Sequence, residues 1–132
     1  MIVVLDAGVA VRMVMDYAAP FRPALETSEL VIAPELIAVE VCSAFRKYAA
    51  ARVMSRREAE ESIERALALV DKMEPLRTLV AEVLALIWQA DSPVSDLFYL
   101  ALAQRTGAML LTADGALREA AARMGIAVIP LL

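Results

Sequence analysis

Four carboxylates in this chain stand where a solubilising role is hard to assign. Asp6 follows Ile2-Val-Val-Leu5 and Asp114 follows Met109-Leu-Leu-Thr-Ala113, so each ends an apolar run. Glu40 is the only charge between Leu36 and Phe45, and the residues three and four away are Leu36, Ile37, Ser43 and Ala44. Asp96 precedes Leu97-Phe-Tyr-Leu-Ala-Leu-Ala103, with Ser92, Pro93, Tyr99 and Leu100 at the same spacings. Neither has a local cation, and a carboxylate on an apolar helix is costly unless a distant partner or a metal compensates it. Simpler roles compete with chemistry here. Asp6 and Asp114 could be N-caps, Glu40 could pair with a distant Arg, and Asp96 could be a first-turn charge favoured by the helix dipole, worth about 0.3–1 kcal/mol.

The rest of the composition narrows the chemistry. There is no His, and Cys42 is the only Cys, which removes zinc fingers, disulfide frameworks and every Ser-His or Cys-His nucleophile. Cys42 reads as a small core residue. Carboxylates without His point to a hard divalent metal ion. Four of them meeting at short range cannot all stay ionised without a cation, because like charges raise one another's pKa. A divalent ion resolves the conflict, and it activates water and polarises a phosphoryl oxygen; two ions could clamp an in-line displacement. Asp6, Asp96 and Asp114 are assigned as direct ligands, and Glu40 as either a fourth ligand or the acid that orients the attacking water. Glu35, Glu58, Glu60, Glu61, Glu64, Asp71, Glu74, Glu82 and Glu119 lie in first turns, charged faces or loops and read as solvated.

The elements that must position these acids alternate. Ile2–Leu5 reads as a buried strand, followed by a helix from Ala7 to about Met15 and a loop or short helix between Pro20 and Thr27. Leu30–Ala33 is a second strand, and Pro34 opens a long helix through roughly Ala51. Ser55 with Glu58 forms a capping box for a helix from Arg56 to about Val70, and another helix is expected from Leu76 to Ala90. Ser92-Pro93 opens a buried helix ended by Gly107; then come a strand at Ala108–Thr112, a helix at Ala116–Met124 closed by Gly125, and a last strand at Ile126–Ile129. Strands buried on both faces and alternating with helices predict an α/β fold, a parallel central sheet with helices on either side. In such a sheet the ligand crevice lies beyond the carboxyl ends of the strands, where Asp6 and Asp114 fall.

The length, 132 residues, predicts a single domain spanning 1–132. Met1-Ile-Val-Val-Leu5 lacks a basic leader, and the longest charge-free stretch, Met124–Leu132, is far short of the about 20 residues that cross a membrane, so a cytoplasmic location is expected. The apolar fraction of 61% exceeds the roughly 45–50% of ordinary domains and predicts a homodimer, with the Pro20–Thr27 segment and the faces of Met13 and Tyr48 as surfaces for it. The net charge of −4 argues against a general nucleic-acid coat. Even so, Arg46, Lys47, Arg52, Arg56 and Arg57 form a basic stripe that could carry a phosphate backbone, with Lys47 two turns beyond Glu40 and expected to point at the acids.

Taken together, Asp6-Ala7, Pro34 before Glu40-Val41 on a helix running into Arg46, Asp96 leading Tyr99-Leu-Ala-Leu-Ala103, and Thr112-Ala-Asp114 resemble the PIN-domain ribonucleases, particularly VapC-type toxins of toxin-antitoxin pairs. The resemblance covers the whole chain in order. It implies a three-layer α/β/α sandwich, a pocket where Asp6, Glu40, Asp96 and Asp114 bind Mg²⁺ or Mn²⁺, and cleavage of single-stranded RNA to 5′-phosphate and 3′-hydroxyl ends. It implies a supporting role for Thr112 and a cognate antitoxin protein as partner. Ser43 stands where the family often has an amide, and Gly8 where it usually has Ser. Other readings fit less well. A receiver-like signalling module needs adjacent acids after the first strand and a late Lys, and a haloacid-dehalogenase-type phosphatase needs Asp-x-Asp where this chain has Asp6-Ala-Gly8. An inactive PIN-fold RNA-binding or scaffold protein would share every motif and differ only in cleavage.

Overall fold

A computed structural model describes residues 1–15 and 20–131. Strands β1 (Ile2–Leu5), β2 (Leu30–Pro34), β3 (Lys72–Glu74) and β4 (Met109–Leu111) form one sheet in the order β3-β2-β1-β4, all pairs parallel. Parallel neighbours require crossovers, and the helices supply them: α1 (Ala7–Val14), α2 (Arg22–Thr27), α3 (Leu36–Ala50), α4 (Arg56–Leu67), α5 (Val80–Leu86), α6 (Val94–Thr106) and α7 (Gly115–Arg123). The expected three-layer α/β/α sandwich is the observed architecture.

Alternation along the strands builds two cores. Val3, Leu5, Val31 and Ala33 face one side, against Val9, Phe21, Ile37, Val41 and Phe45. Val4, Ile32 and Leu110 face the other, against Leu79, Val83, Leu97, Leu100 and Leu117. Full burial of each such Val, Leu, Ile or Phe side chain stabilises the fold by about 1.5–3 kcal/mol before conformational entropy is set against it.

Several expected boundaries move. Pro34 ends β2 instead of opening α3, which begins at Leu36. The expected helix from Leu76 to Ala90 is a 3-10 turn, Leu76–Leu79, followed by α5. The last expected strand is reduced to a single parallel bridge, Leu110 to Val128. Strand β3 lacks a sequence signal, because Lys72-Met-Glu74 carries two charges and only one apolar residue. Tertiary pairing with β2 forms it, and charges that read as solvated anchor that edge. Asp71 accepts from the Val31 amide at 2.8 Å, and Glu35 accepts from the Leu76 amide at 3.2 Å. Glu74 accepts from the Thr78 hydroxyl at 2.8 Å and lies 3.6 Å from both Lys72 and Arg105, while Glu82 also pairs with Arg105. Cys42 is exposed rather than in the core, because Ile37, Val41 and Phe45 set the buried stripe of α3 and Cys42 lies about 100° round the helix from Val41.

Candidate active site

The crevice follows from the topology. Strands β1 and β4 are neighbours, but α1 after β1 packs into the first core and α7 after β4 into the second, so the sheet edge opens between them. Asp6 leaves β1 at this opening, its amide extending the ladder to the Leu111 carbonyl at 3.1 Å. Asp114 enters from the β4 side, Glu40 comes from α3 and Asp96 from the first turn of α6. All four line one cavity of about 310 Å³ with Ala7, Gly8, Arg12 and Ala113.

Hydrogen bonds fix three of the acids. Asp6 occupies the N-cap position of α1, yet its side chain makes no capping bond; Oδ2 accepts from the Thr112 hydroxyl at 2.7 Å. Thr112 is fully buried, and its oxygen also accepts from the Asp114 amide at 3.1 Å, so one hydroxyl ties together two acid-bearing ends of the sheet. Asp114 does serve as an N-cap: Oδ1 accepts from the amides of Ala116 at 2.9 Å and Leu117 at 3.3 Å. Glu40 Oε1 accepts from the hydroxyl of Tyr99 at 2.7 Å. Arg118 braces the floor behind them, donating to the carbonyls of Thr112 at 3.0 Å and Ile129 at 3.1 Å.

The electrostatics are those of partly buried carboxyls, with like charges nearby adding to the cost of burial. Burial, then the charges of Asp114, Asp6 and Glu40, pushes the Asp96 carboxyl up to about 6. Burial raises Asp6 above the usual carboxylate range, with the Thr112 hydrogen bond opposing and the Asp114 charge adding. Glu40 is raised by burial against the opposing bond from Tyr99, with Asp6 adding. Burial, and then the neighbouring charge of Glu40, holds the Tyr99 phenol well above its ordinary value, so it remains a donor.

This donor set suits a hard cation. It is all oxygen and negatively charged, and its members repel one another. Among the described residues no three of these side chains are drawn together closely enough to enclose an ion. Mg²⁺ keeps several waters and binds through one or two carboxylates plus substrate phosphates, so an open acidic cavity fits it better than a closed cage would. A larger groove of about 460 Å³ between α3 and α4 has Glu60 as its only acid and lacks this chemistry.

Other residues singled out from the sequence lie elsewhere. Ser43 is exposed on α3 and does not line the acidic cavity. Arg46 and Arg56 flank the α3–α4 groove with Ala49, Ala50, Ala59 and Ile63 on its floor. Arg52 is exposed in a left-handed conformation, φ 60°, just past α3. Lys47 is exposed and does not line the acidic cavity: it shares Glu40's side of α3 but is turned about 20° from it toward solvent. The cation at the acids is Arg12 of α1, which sequence reasoning missed although it is the only charge between Ala7 and Met15. Tyr99 was also missed as a partner of Glu40. Its signal was the lone polar side chain in the apolar run Leu97–Ala103.

Comparison with known proteins places this geometry. No curated protein matches by sequence. Among solved structures the chain is similar to one in the crystal structure of VapBC2 from Rickettsia felis bound to a DNA fragment from their promoter, with TM-score 0.69, 12% identity and 98% of each chain covered. It is also similar to PAE2754 from Pyrobaculum aerophilum, with TM-score 0.65, 18% identity, 96% of this chain and 87% of that chain covered. At these identities the likeness is one of fold. The sequence itself carries the PIN domain pattern across residues 3–123, and the chain belongs to the PIN domain family.

Proposed function

We propose that the protein is a metal-dependent endoribonuclease that hydrolyses phosphodiester bonds of single-stranded RNA and acts as the toxin of a toxin-antitoxin pair in the cytoplasm. One observation carries the catalytic reading: four carboxylates from four separate elements line a single cavity, and three have raised pKa values. A fold satisfied with surface acids has no reason to crowd them. PIN family membership supports nuclease chemistry, and likeness to a chain of the VapBC2 complex supports a separate antitoxin as partner.

Asp6, Asp96 and Asp114 would hold Mg²⁺ or Mn²⁺, which when bound supplies charge neutralisation at the phosphate and an acidified water. Glu40 is the general base. Tyr99 holds one of its oxygens, leaving the other to take the proton from the attacking water. Attack on phosphorus breaks the bond to the 3′ oxygen, which leaves with a proton as a 3′-hydroxyl and gives a 5′-phosphate on the other fragment. Thr112 keeps the Asp6 carboxylate from swinging into the capping role its position offers. Incubation of the purified chain with a panel of single-stranded RNAs, with Mn²⁺ or with EDTA, tests the reading. Cleavage with Mn²⁺ alone is expected, and binding without any cleavage would favour the inactive RNA-binding alternative.

Arg46, Lys47, Arg52 and Arg56 are proposed to hold the RNA backbone away from the acids. Replacing Arg46, Lys47 and Arg52 by Ala is expected to weaken RNA binding and to flatten its salt dependence by about 0.7 per lost phosphate contact, leaving metal affinity unchanged. A wild-type salt slope in the triple variant would show that the phosphates are held elsewhere.

A homodimer is also proposed. To the surfaces considered from the sequence, the Pro20–Thr27 segment and the faces of Met13 and Tyr48, are added Leu84 and Trp88, which project from α5 and the turn after it with Trp88 89% exposed. Trp88 is the only Trp, so its fluorescence reports this surface directly. Emission that shifts to the blue as concentration rises through the micromolar range, with a dimeric mass by light scattering, is the expected result; a monomeric mass would contradict it.

A further inference from the structure

A second cavity of about 360 Å³ adjoins the acidic one and shares Ala7, Gly8, Arg12 and Glu40 with it. Its remaining lining is Val11, Ala44 and Tyr48, so the two cavities form one trough that is acidic at one end and apolar with an aromatic ring at the other. Arg12 lines both, and its guanidinium carbon lies 6.0 Å from the ring centroid of the buried Phe21. Tyr48 is half-buried and braced by the fully buried Phe45, ring centroids 5.9 Å apart at 53°. Gly8 lines both cavities.

Resting on the nuclease reading of the acidic end, we propose that the second cavity is a nucleotide subsite. The ring of Tyr48 stacks on the base beside the scissile phosphate, and Arg12 contacts the backbone between the two cavities. Single-stranded nucleic acid is held in this way, by a cation on the phosphate and an aromatic face under the base. The volume is at the small end of the roughly 300–1,000 Å³ of ligand clefts, which is room for one nucleotide. The apolar end suits a base. Arg12 supplies the attraction that an anionic substrate needs to approach four acids.

The test compares the wild type with Arg12→Gln, Tyr48→Leu and Tyr48→Phe, using a short fluorescein-labelled oligouridylate. Binding is read by anisotropy in Ca²⁺ and cleavage in Mn²⁺. Tyr48→Leu keeps the packing on Phe45 and removes the stacking face, so binding is expected to weaken about five- to a hundredfold, with the loss in cleavage falling on KM. Tyr48→Phe keeps the ring and binds as the wild type does. Arg12→Gln makes the salt dependence shallower by about 0.7, and Tyr48→Leu leaves it unchanged. Wild-type affinity in Tyr48→Leu, or a wild-type salt slope in Arg12→Gln, overturns the subsite while leaving cleavage intact. A wild type that binds the oligonucleotide but never cuts it overturns the nuclease reading while these ratios still decide the subsite, and one that does neither overturns both.

Discussion

Asp96→Asn is expected to lower RNA cleavage by about a thousandfold or more while leaving a folded protein that is more stable without metal than the wild type at neutral pH. The two effects have one cause. Asp96 is partly buried in the first turn of α6, with Asp114, Asp6 and Glu40 adding like charge, so its charge is unfavourable until a cation arrives. Asn has nearly the same shape, so no cavity opens, but it removes a charge that a divalent ion would need. Loss of the favourable helix-dipole contact, about 0.3–1 kcal/mol, offsets part of the gain. Calorimetric titration with Mn²⁺, a cleavage assay and a thermal melt on the same preparation check all three consequences. Unchanged metal affinity together with unchanged cleavage would remove Asp96 from the site.

Metal and pH are expected to act on stability in a linked way. A carboxyl whose pKa is higher folded than unfolded binds its proton more tightly in the native state, so its contribution favours folding at low pH and is lost as pH rises. For Asp96 the window runs from the model-peptide value of 3.8 up to about 6, and the raised Asp6 and Glu40 carboxyls have the same sign. After discounting for solvent screening of a partly exposed group, the Asp96 effect is about 1–2 kcal/mol, or several degrees in Tm for a chain of this size. The difference in Tm between Asp96→Asn and the wild type, both without metal, should therefore grow from pH 4 to a plateau above about pH 6.5. Mg²⁺ or Mn²⁺ should reverse the penalty, adding about 2.7 kcal/mol at a hundredfold excess over Kd near pH 7.5 and little near pH 4.5. A Tm difference that shrinks with pH would show that the Asp96 carboxyl is not raised in the folded protein.

The strands β1, β2 and β4 were legible because Ile2–Leu5, Leu30–Pro34 and Met109–Leu111 are apolar runs too short for helices and bounded by polar or turn residues. The capping box of Ser55 and Glu58 is formed as its spacing predicts, with Ser55 accepting from the Glu58 amide and Glu58 from the Ser55 amide, both at 3.1 Å. Both are local signals, carried by residues within one turn or one strand of each other. Strand β3 was not legible, because its stability comes from pairing with β2 and from Asp71 and Glu74 bonding to distant segments, none of which its own three residues encode.

The same division runs through the site. Sequence by itself singled out Glu40 and Asp96, since an apolar context without a nearby cation is visible in a string of letters, and it singled out Asp6 and Asp114 by their place at the ends of apolar runs. Asp114 is exposed and caps α7, the simpler role its position allowed. Sequence also determined the α/β class and, through parallel strands, the edge at which the acids would gather. Only the tertiary structure decided which side chains surround them. Tyr99 reaches Glu40 across 59 positions of chain and Thr112 reaches Asp6 across 106, and no periodicity relates residues so far apart. Lys47 was expected at the acids because helical spacing gives direction, but spacing does not say where neighbouring helices lie. The packing of α1 against α3 put Arg12 there instead, since a side chain's direction belongs to its own helix while its surroundings belong to the helices packed against it.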